Sequence, residues 1–228
     1  MSVNTLTEEG PVLRVDGSRE LSADLARSVS ILCDEAEAAG TGFATLHVSG
    51  APSEKAVAGV VDVAAVSKWE QAVRRFERLR LPTLVAASGE CGGAALDLLL
   101  AADVRVATPD LRLLLPFHEQ ATWPGMALFR LVQQFGLAGA RRAVLFGTPI
   151  TAAEALERGL VDRVSKNPER TLAAAARLLR RLSGPELAIR RQLAFDAQWM
   201  SFEDALGPHL AACDRSLRRG RADDAAAV

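Results

Sequence analysis

Apolar positions along the chain follow two rhythms. Short apolar runs bounded by Gly, Pro, Asp or Ser alternate with longer stretches in which apolar residues recur every three or four positions. The first rhythm predicts strands and the second predicts amphipathic helices. Val12 to Val15 reads as a strand ended by Asp16-Gly17. Ser22 then caps a helix whose Leu25, Val29, Leu32 and Ala36 share one face, and Gly40 stops it. Phe43 to Val48 reads as the next strand, broken by Ser49-Gly50-Ala51-Pro52. From about Asp62 to Arg80 the stripe Val63, Val66, Trp69, Val73 and Phe76 predicts a helix, and Pro82 separates it from the next apolar run.

The stretch from Leu84 to Ala107 then reads as a buried strand, a small-residue turn through Gly89-Glu90-Cys91-Gly92-Gly93, a helix from Ala94 and a further strand. Leu111 to Leu115 is strand-like, and Pro116 to Gly125 is irregular. Helical spacing returns over Met126 to Phe135 and Ala138 to Phe146. Thr151 to Glu154 has the form of a capping box, and Gly159 precedes a strand over Leu160 to Val164. Thr171 to Leu182, Pro185 to Trp199 and Phe202 to Leu217 all read as helices. Strands thus alternate with helices over about 10–165, and helices alone fill about 166–220. That order predicts an α/β fold with right-handed crossovers and a C-terminal helical region, within one domain spanning 1–228.

Composition narrows the function classes. With 228 residues, 49% of them hydrophobic, the chain can bury one sizeable core. A formal charge of −1 leaves no basic stripe to neutralise phosphates, which argues against nucleic acid as a partner. The Arg-rich stretches near 177–181, 190–191 and 215–221 are interleaved with apolar residues and read as solvated helix faces. Cys33, Cys91 and Cys213 are too widely spaced for a disulfide framework or a zinc site, so no metal is expected. Met1 to Gly10 has no charged head before an apolar run, and no segment reaches membrane-spanning length. The expectation is a cytoplasmic protein with no membrane association.

The turn before Ala94 is the place where chemistry is expected. Small residues let another group approach the main chain, and the following helix aims free N–H groups and its positive dipole end at that group. An oxygen gaining negative charge would be stabilised there. Cys91 reads as a small turn residue, His47 as a sheet-facing side chain, and Trp69 and Trp123 as core aromatics with ligand stacking as the alternative.

Two motifs resemble the crotonase, or enoyl-CoA hydratase/isomerase, superfamily. Gly89, Gly93, Ala94, Ala95, Asp97 and Ala102-Asp103 fall in one register with its glycine-turn signature. Phe146 to Leu156, continuing to Gly159-Leu160-Val161, resembles a second segment of the same family. The resemblance covers roughly 10–220 and implies a crotonase-like (ββα)n spiral core. It further implies an acyl-CoA thioester as substrate, with coenzyme A part of that substrate and no separate cofactor, and a homotrimer or hexamer covered by its C-terminal helices.

Carried over position by position, the resemblance makes the backbone N–H of Ala94 one oxyanion donor and that of Val61 the other. Asp97 takes the place of the first catalytic glutamate, as acid/base. The second glutamate falls on Phe117, which is not an acid. His118 and Glu119 stand nearby. In an extended chain Glu119 lies roughly 6 to 7 Å beyond Phe117 on the same side, so it substitutes only if the loop is remodelled. Gly93, Phe117 and His118 are expected to line the substrate pocket, while the CoA phosphates would meet Lys55 or Lys68.

One carboxylate and an oxyanion hole suit dehydration of a 3-hydroxyacyl thioester or double-bond migration better than hydration of an unactivated enoyl chain. The chain's length and departures resemble the short crotonase-like proteins of 3,5-dihydroxyphenylglycine biosynthesis, a route to antibiotics. They imply dehydration and aromatisation of a polyketide CoA intermediate to 3,5-dihydroxyphenylacetyl-CoA, beside a type III polyketide synthase or another crotonase-like enzyme. The alternatives are a catalytically degenerate partner protein and an enoyl-CoA isomerase.

Overall fold

A computed structural model describes residues 4–7, 10–53, 62–118, 120–179 and 184–226, with backbone alone for 4–7 and 220–226. Its contacts form two compact units, 1–183 and 184–228. The first is built on a sheet of order β1-β2-β3-β4-β5-β10. The strands are β1 (Asn4–Thr7), β2 (Gly10–Asp16), β3 (Ala44–Gly50), β4 (Thr83–Gly92), β5 (Val104–Ala107) and β10 (Arg163–Val164). Only the β1–β2 pair in that path is antiparallel.

β4 belongs to two surfaces. Its residues 84–87 pair with β5, and after Gly89, at φ +60°, its residues 90–92 pair instead with β6 (Arg112–Leu114). A left-handed residue at that bend is cheap only for glycine. β6 in turn pairs with β9 (Ile150–Thr151), so the sheet folds around its own corner as expected of a crotonase-like spiral. Asp103 closes the start of this layout, because its carboxylate accepts hydrogen bonds from both the N–H and the hydroxyl of Thr83, each 2.9 Å.

Both faces of the sheet are covered. On one lie α1 (Ala23–Ala39), α2 (Val63–Glu77), α3 (Ala94–Ala101) and α4 (Met126–Phe146), packed on Leu13, Val15, Leu46, Val48, Val85 and Ala87. Ser22 accepts from the Leu25 N–H to cap α1, and Gly40 at φ +65° ends it, as the sequence predicts. α4 merges the two helices expected around residue 136, kinked at Gly136 (φ 73°, ψ 153°). α5 (Ala152–Glu157) opens with the predicted Thr151–Glu154 capping box.

Among the described residues helices alone follow 166, and the first of them, α6 (Pro168–Leu179), belongs to the first unit, where it buries Leu172 and Ala176 against Phe43, Leu84, Ala86 and Val106 on the second face of the sheet. Two expectations need correcting. The strand expected over Leu160 to Val164 is reduced to Arg163–Val164, because Leu160 and Val161 donate to the Ala155 carbonyl in a buried turn. Finally, Pro116 to Gly125 is not wholly irregular, since β7 (Phe117–His118) and β8 (Ala121–Thr122) form a small antiparallel ribbon.

The second unit consists of α7 (Pro185–Asp196), begun by proline in its first turn, and α8 (Phe202–Ala226). It exposes Trp199, Met200, Phe202, Leu206, Leu210 and Leu217. No helix among the described residues is long and apolar enough to cross a membrane.

Candidate active site

Three turns meet at the carboxyl ends of β2, β3 and β4, and they meet backbone to backbone. A Cβ on Gly17 would lie 2.5 Å from the carbonyl oxygens of Gly50 and Gly92, and one on Gly92 would lie 2.9 Å from the Ala51 Cβ. Gly93 adopts φ +51° with Pro52 Cγ 3.0 Å from where its Cβ would be. Side chains at positions 17, 92 and 93 are therefore excluded, and α3 starts directly on this junction. Among the described residues no side chain caps α3. The N–H of Ala94, first in the helix, has no acceptor within it and faces the end where the dipole is positive.

Asp97 stands one turn further along α3, its N–H donating to the Gly93 carbonyl at 3.0 Å. Its side chain borders the same small cavity, of about 70 Å³, as Gly93 and Ala94. The residue is 9% exposed. The indole Nε1 of Trp69 donates to its Oδ2 at 2.8 Å, while Arg130 approaches Oδ1 at 3.7 Å. Burial, reinforced by the negative charge of Glu70, pushes the Asp97 carboxyl up to about 7, against the opposing pull of Trp69, Arg130 and the Ala127 N–H. A carboxyl in that range both takes and returns protons near neutrality.

The rest of the pocket differs from expectation. Gly93 lines it, but the ring of Phe117 is turned against Gly147, where a Cβ would lie 1.8 Å from Phe117 Cε2. His118 packs edge-on to Trp123 at 6.0 Å, and it too is absent from the cavity wall. Their places are taken by Pro116, Trp123 and Gly125. Pairing into the β7–β8 ribbon explains the change, because it fixes which way these side chains leave the chain. Val61, Glu119 and Lys55 lie outside the described residues. Lys68 is exposed on α2 and does not line the cavity.

The sequence reading missed an ion-paired group beneath Asp97. Arg130 of α4, 7% exposed, pairs with Glu70 at 3.0 Å and Glu77 at 3.4 Å, both on α2. Trp69 joins it as a functional side chain as well as a core one. The available signal was an arginine in the otherwise apolar first turns of a helix, Met126 to Val132. Cys91 is inert by contrast: burial holds its thiol up at about 12.

Comparison with known proteins decides the family. The enoyl-CoA hydratase/isomerase family model matches residues 40–203. The chain belongs to the enoyl-CoA hydratase/isomerase family. A protein of Amycolatopsis orientalis named enoyl-CoA-hydratase is 56% identical over 209 residues, covering 91% of this chain and 96% of that one. Among solved structures, an enoyl-CoA hydratase from Bacillus anthracis superimposes with a TM-score of 0.76 at 22% identity, covering 93% of this chain and 89% of that one. An enoyl-CoA hydratase/isomerase from Cupriavidus metallidurans does so with 0.77 at 16%, covering 95% and 88%. These two likenesses show the hydratase/isomerase fold, and the Amycolatopsis relative ties the sequence itself to the family.

Proposed function

We propose that this chain is a lyase of the hydratase/isomerase family that removes water from a 3-hydroxyacyl-CoA thioester, with Asp97 as acid/base. The observation that carries this reading is a buried carboxyl at about 7, one helical turn from an uncapped N–H, in a single cavity. The Asp97 carboxylate takes a proton from the α-carbon, and the electron pair moves onto the thioester oxygen. The Ala94 N–H receives that oxyanion. The pair then returns, the bond to the β-oxygen breaks, and the hydroxyl leaves as water with a returned proton.

The finer reading assigns the substrate as a polyketide CoA intermediate on the way to 3,5-dihydroxyphenylacetyl-CoA, made by a type III polyketide synthase that acts alongside this chain. It is supported by the loss of an acid at Phe117, which disfavours hydration of a plain enoyl chain. Assembly as a trimer or hexamer is part of the same reading, supported by the apolar residues exposed on α8 and on the connection before it. The second reading, a degenerate partner that binds acyl-CoA without turning it over, is favoured by the same phenylalanine.

Asp97→Asn separates the two. Loss of a general acid/base lowers dehydration by about a hundredfold or more. A variant that supports product formation as well as wild type does would leave only the partner reading. An isomerase would instead convert simple 3-enoyl-CoA thioesters, and their inertness removes that alternative.

A further inference from the structure

We propose that Arg105 of β5 is a positioning residue for the oxyanion donor: with Gln134 it holds α3 by its C-terminal carbonyls and so fixes where the Ala94 N–H stands at the other end. This rests on the reading above that the Ala94 N–H receives the thioester oxygen, and adds the group that keeps it in place.

A helix whose first N–H groups serve a ligand has to be held from elsewhere. α3 is eight residues long, and no side chain caps its start at Gly93. So short a helix is marginal by itself and takes its position from what it touches. It ends on Ala102 in extended backbone (φ −85°, ψ 152°) instead of on a left-handed glycine, so its last carbonyls need other donors. Two side chains supply them. Arg105 Nη2 donates to the Leu100 carbonyl at 2.7 Å, and its Nε donates to the Ala102 carbonyl at 2.9 Å. Gln134 Nε2, from α4, donates to the same Leu100 carbonyl at 2.8 Å.

These donors are themselves braced. Arg105 Nη1 donates to Gln134 Oε1 at 2.5 Å and to the Leu160 carbonyl, in the turn after α5, at 3.3 Å. Its backbone N–H donates to Asp162 Oδ2 at 2.7 Å. Leu100, Ala102 and Leu160 are at most 4% exposed, so their carbonyls would find little water in place of these donors. Burial lowers the guanidinium to about 10, against the charges of Asp162, Asp103 and Glu77, and it stays charged at neutral pH. A cation at the C-terminus of a helix also complements the dipole whose positive end meets the substrate.

Eight residues at 1.5 Å each put this hold roughly 12 Å from the Ala94 N–H. Arg105 does not border the cavity and acts through the helix. A rigid rod released at one end tilts or slides at the other, and Asp97 rides on the same rod. A displacement of about 1 Å at a reacting centre costs up to about a hundredfold in rate.

The test reads the thioester carbonyl directly, by infrared difference spectra of bound acetyl-CoA carrying carbon-13 at that carbonyl. Wild type should lower the stretching frequency on binding, because the donated hydrogen bond polarises the carbonyl. Arg105→Met should lose at least about half of that shift, and Gln134→Leu, at an exposed position of α4, a smaller part of it. Leu172→Ala, which loosens the opposite layer of the sheet, should keep the wild-type shift. With a panel of 3-hydroxyacyl-CoA thioesters, Arg105→Met should lower kcat by about tenfold to a hundredfold and leave KM within about threefold. A wild-type shift in Arg105→Met, or a loss in Leu172→Ala as large as in Arg105→Met, overturns the proposal. Where Arg105→Met does not fold, Gln134→Leu decides, and an unchanged shift there overturns it. No shift in the wild type overturns the placement of the thioester oxygen at Ala94, and the proposal with it. Inertness of the wild type toward every thioester overturns the lyase reading alone, and the spectra still decide on Arg105.

Discussion

The chemistry of the site comes down to a balance of forces on one carboxyl. Asp97 must be ionised to take a proton, so activity should rise with pH through about 7, rather than through the usual range near 4. A pH–rate profile of kcat/KM checks this. Trp69→Phe removes the indole donor that favours the charged form. The carboxyl rises further, and the acidic limb of the profile should move to higher pH. Stability has the opposite sense. The folded carboxyl titrates at about 7 against about 3.8 unfolded, so the native state binds more protons between those values. The stability that depends on holding this proton is full below about pH 3.8 and is lost as pH rises through 7. Keeping Asp97 charged above pH 8 therefore costs the fold roughly 4 kcal/mol. Asp97→Asn, with Arg130 still paired to Glu70 and Glu77, should accordingly be more stable than wild type at pH 8, by about 1–3 kcal/mol in urea unfolding, while losing activity. Equal or lower stability would mean that the carboxylate is better satisfied than its lone Oδ1 implies.

Among the elements, the turn before α3 decides whether Asp97 and Ala94 share a cavity. Gly93 sits at φ +51° with Pro52 pressed against its missing Cβ. Gly93→Ala should destabilise the protein by about 1–2 kcal/mol and lower kcat more than it raises KM, since the displaced group is the oxyanion donor. A thermal melt and steady-state kinetics together read both effects. This turn was legible in the sequence because two glycines, a helix start and one acid fall together between Gly92 and Asp97. The caps at Ser22 and Thr151 were legible for the same local reason. What was not legible depends on contacts across the chain. Arg130 lies 33 residues past Asp97 and meets it only because α4 crosses α3. Phe117 and His118 were placed in the pocket by the family resemblance alone, and the β7–β8 ribbon aims them elsewhere. A register of two residues is below what spacing alone can fix.

Across the molecule, the alternation along β4 shows why the first unit extends past 166. Val85 and Ala87 pack with the helices that carry the active site, and Leu84 and Ala86 pack with α6. A parallel strand buried on both faces needs a cover on each, and the sequence showed it as an unbroken apolar run. Without α6, Phe43, Leu84, Ala86 and Val106 would be left open to water. Leu172 is 4% exposed at the centre of that contact. Leu172→Ala should therefore cost about 2–4 kcal/mol in urea unfolding, the range for a buried leucine whose surroundings relax only in part. Because Asp97, Ala94, Trp69 and Glu70 belong to the opposite layer, kcat below the unfolding transition should stay within about threefold of wild type. A loss under about 0.5 kcal/mol would make α6 a loose neighbour of the sheet. A large fall in kcat with little loss of stability would mean that the two faces communicate through β4, whose residues reach both α6 and the glycine turn.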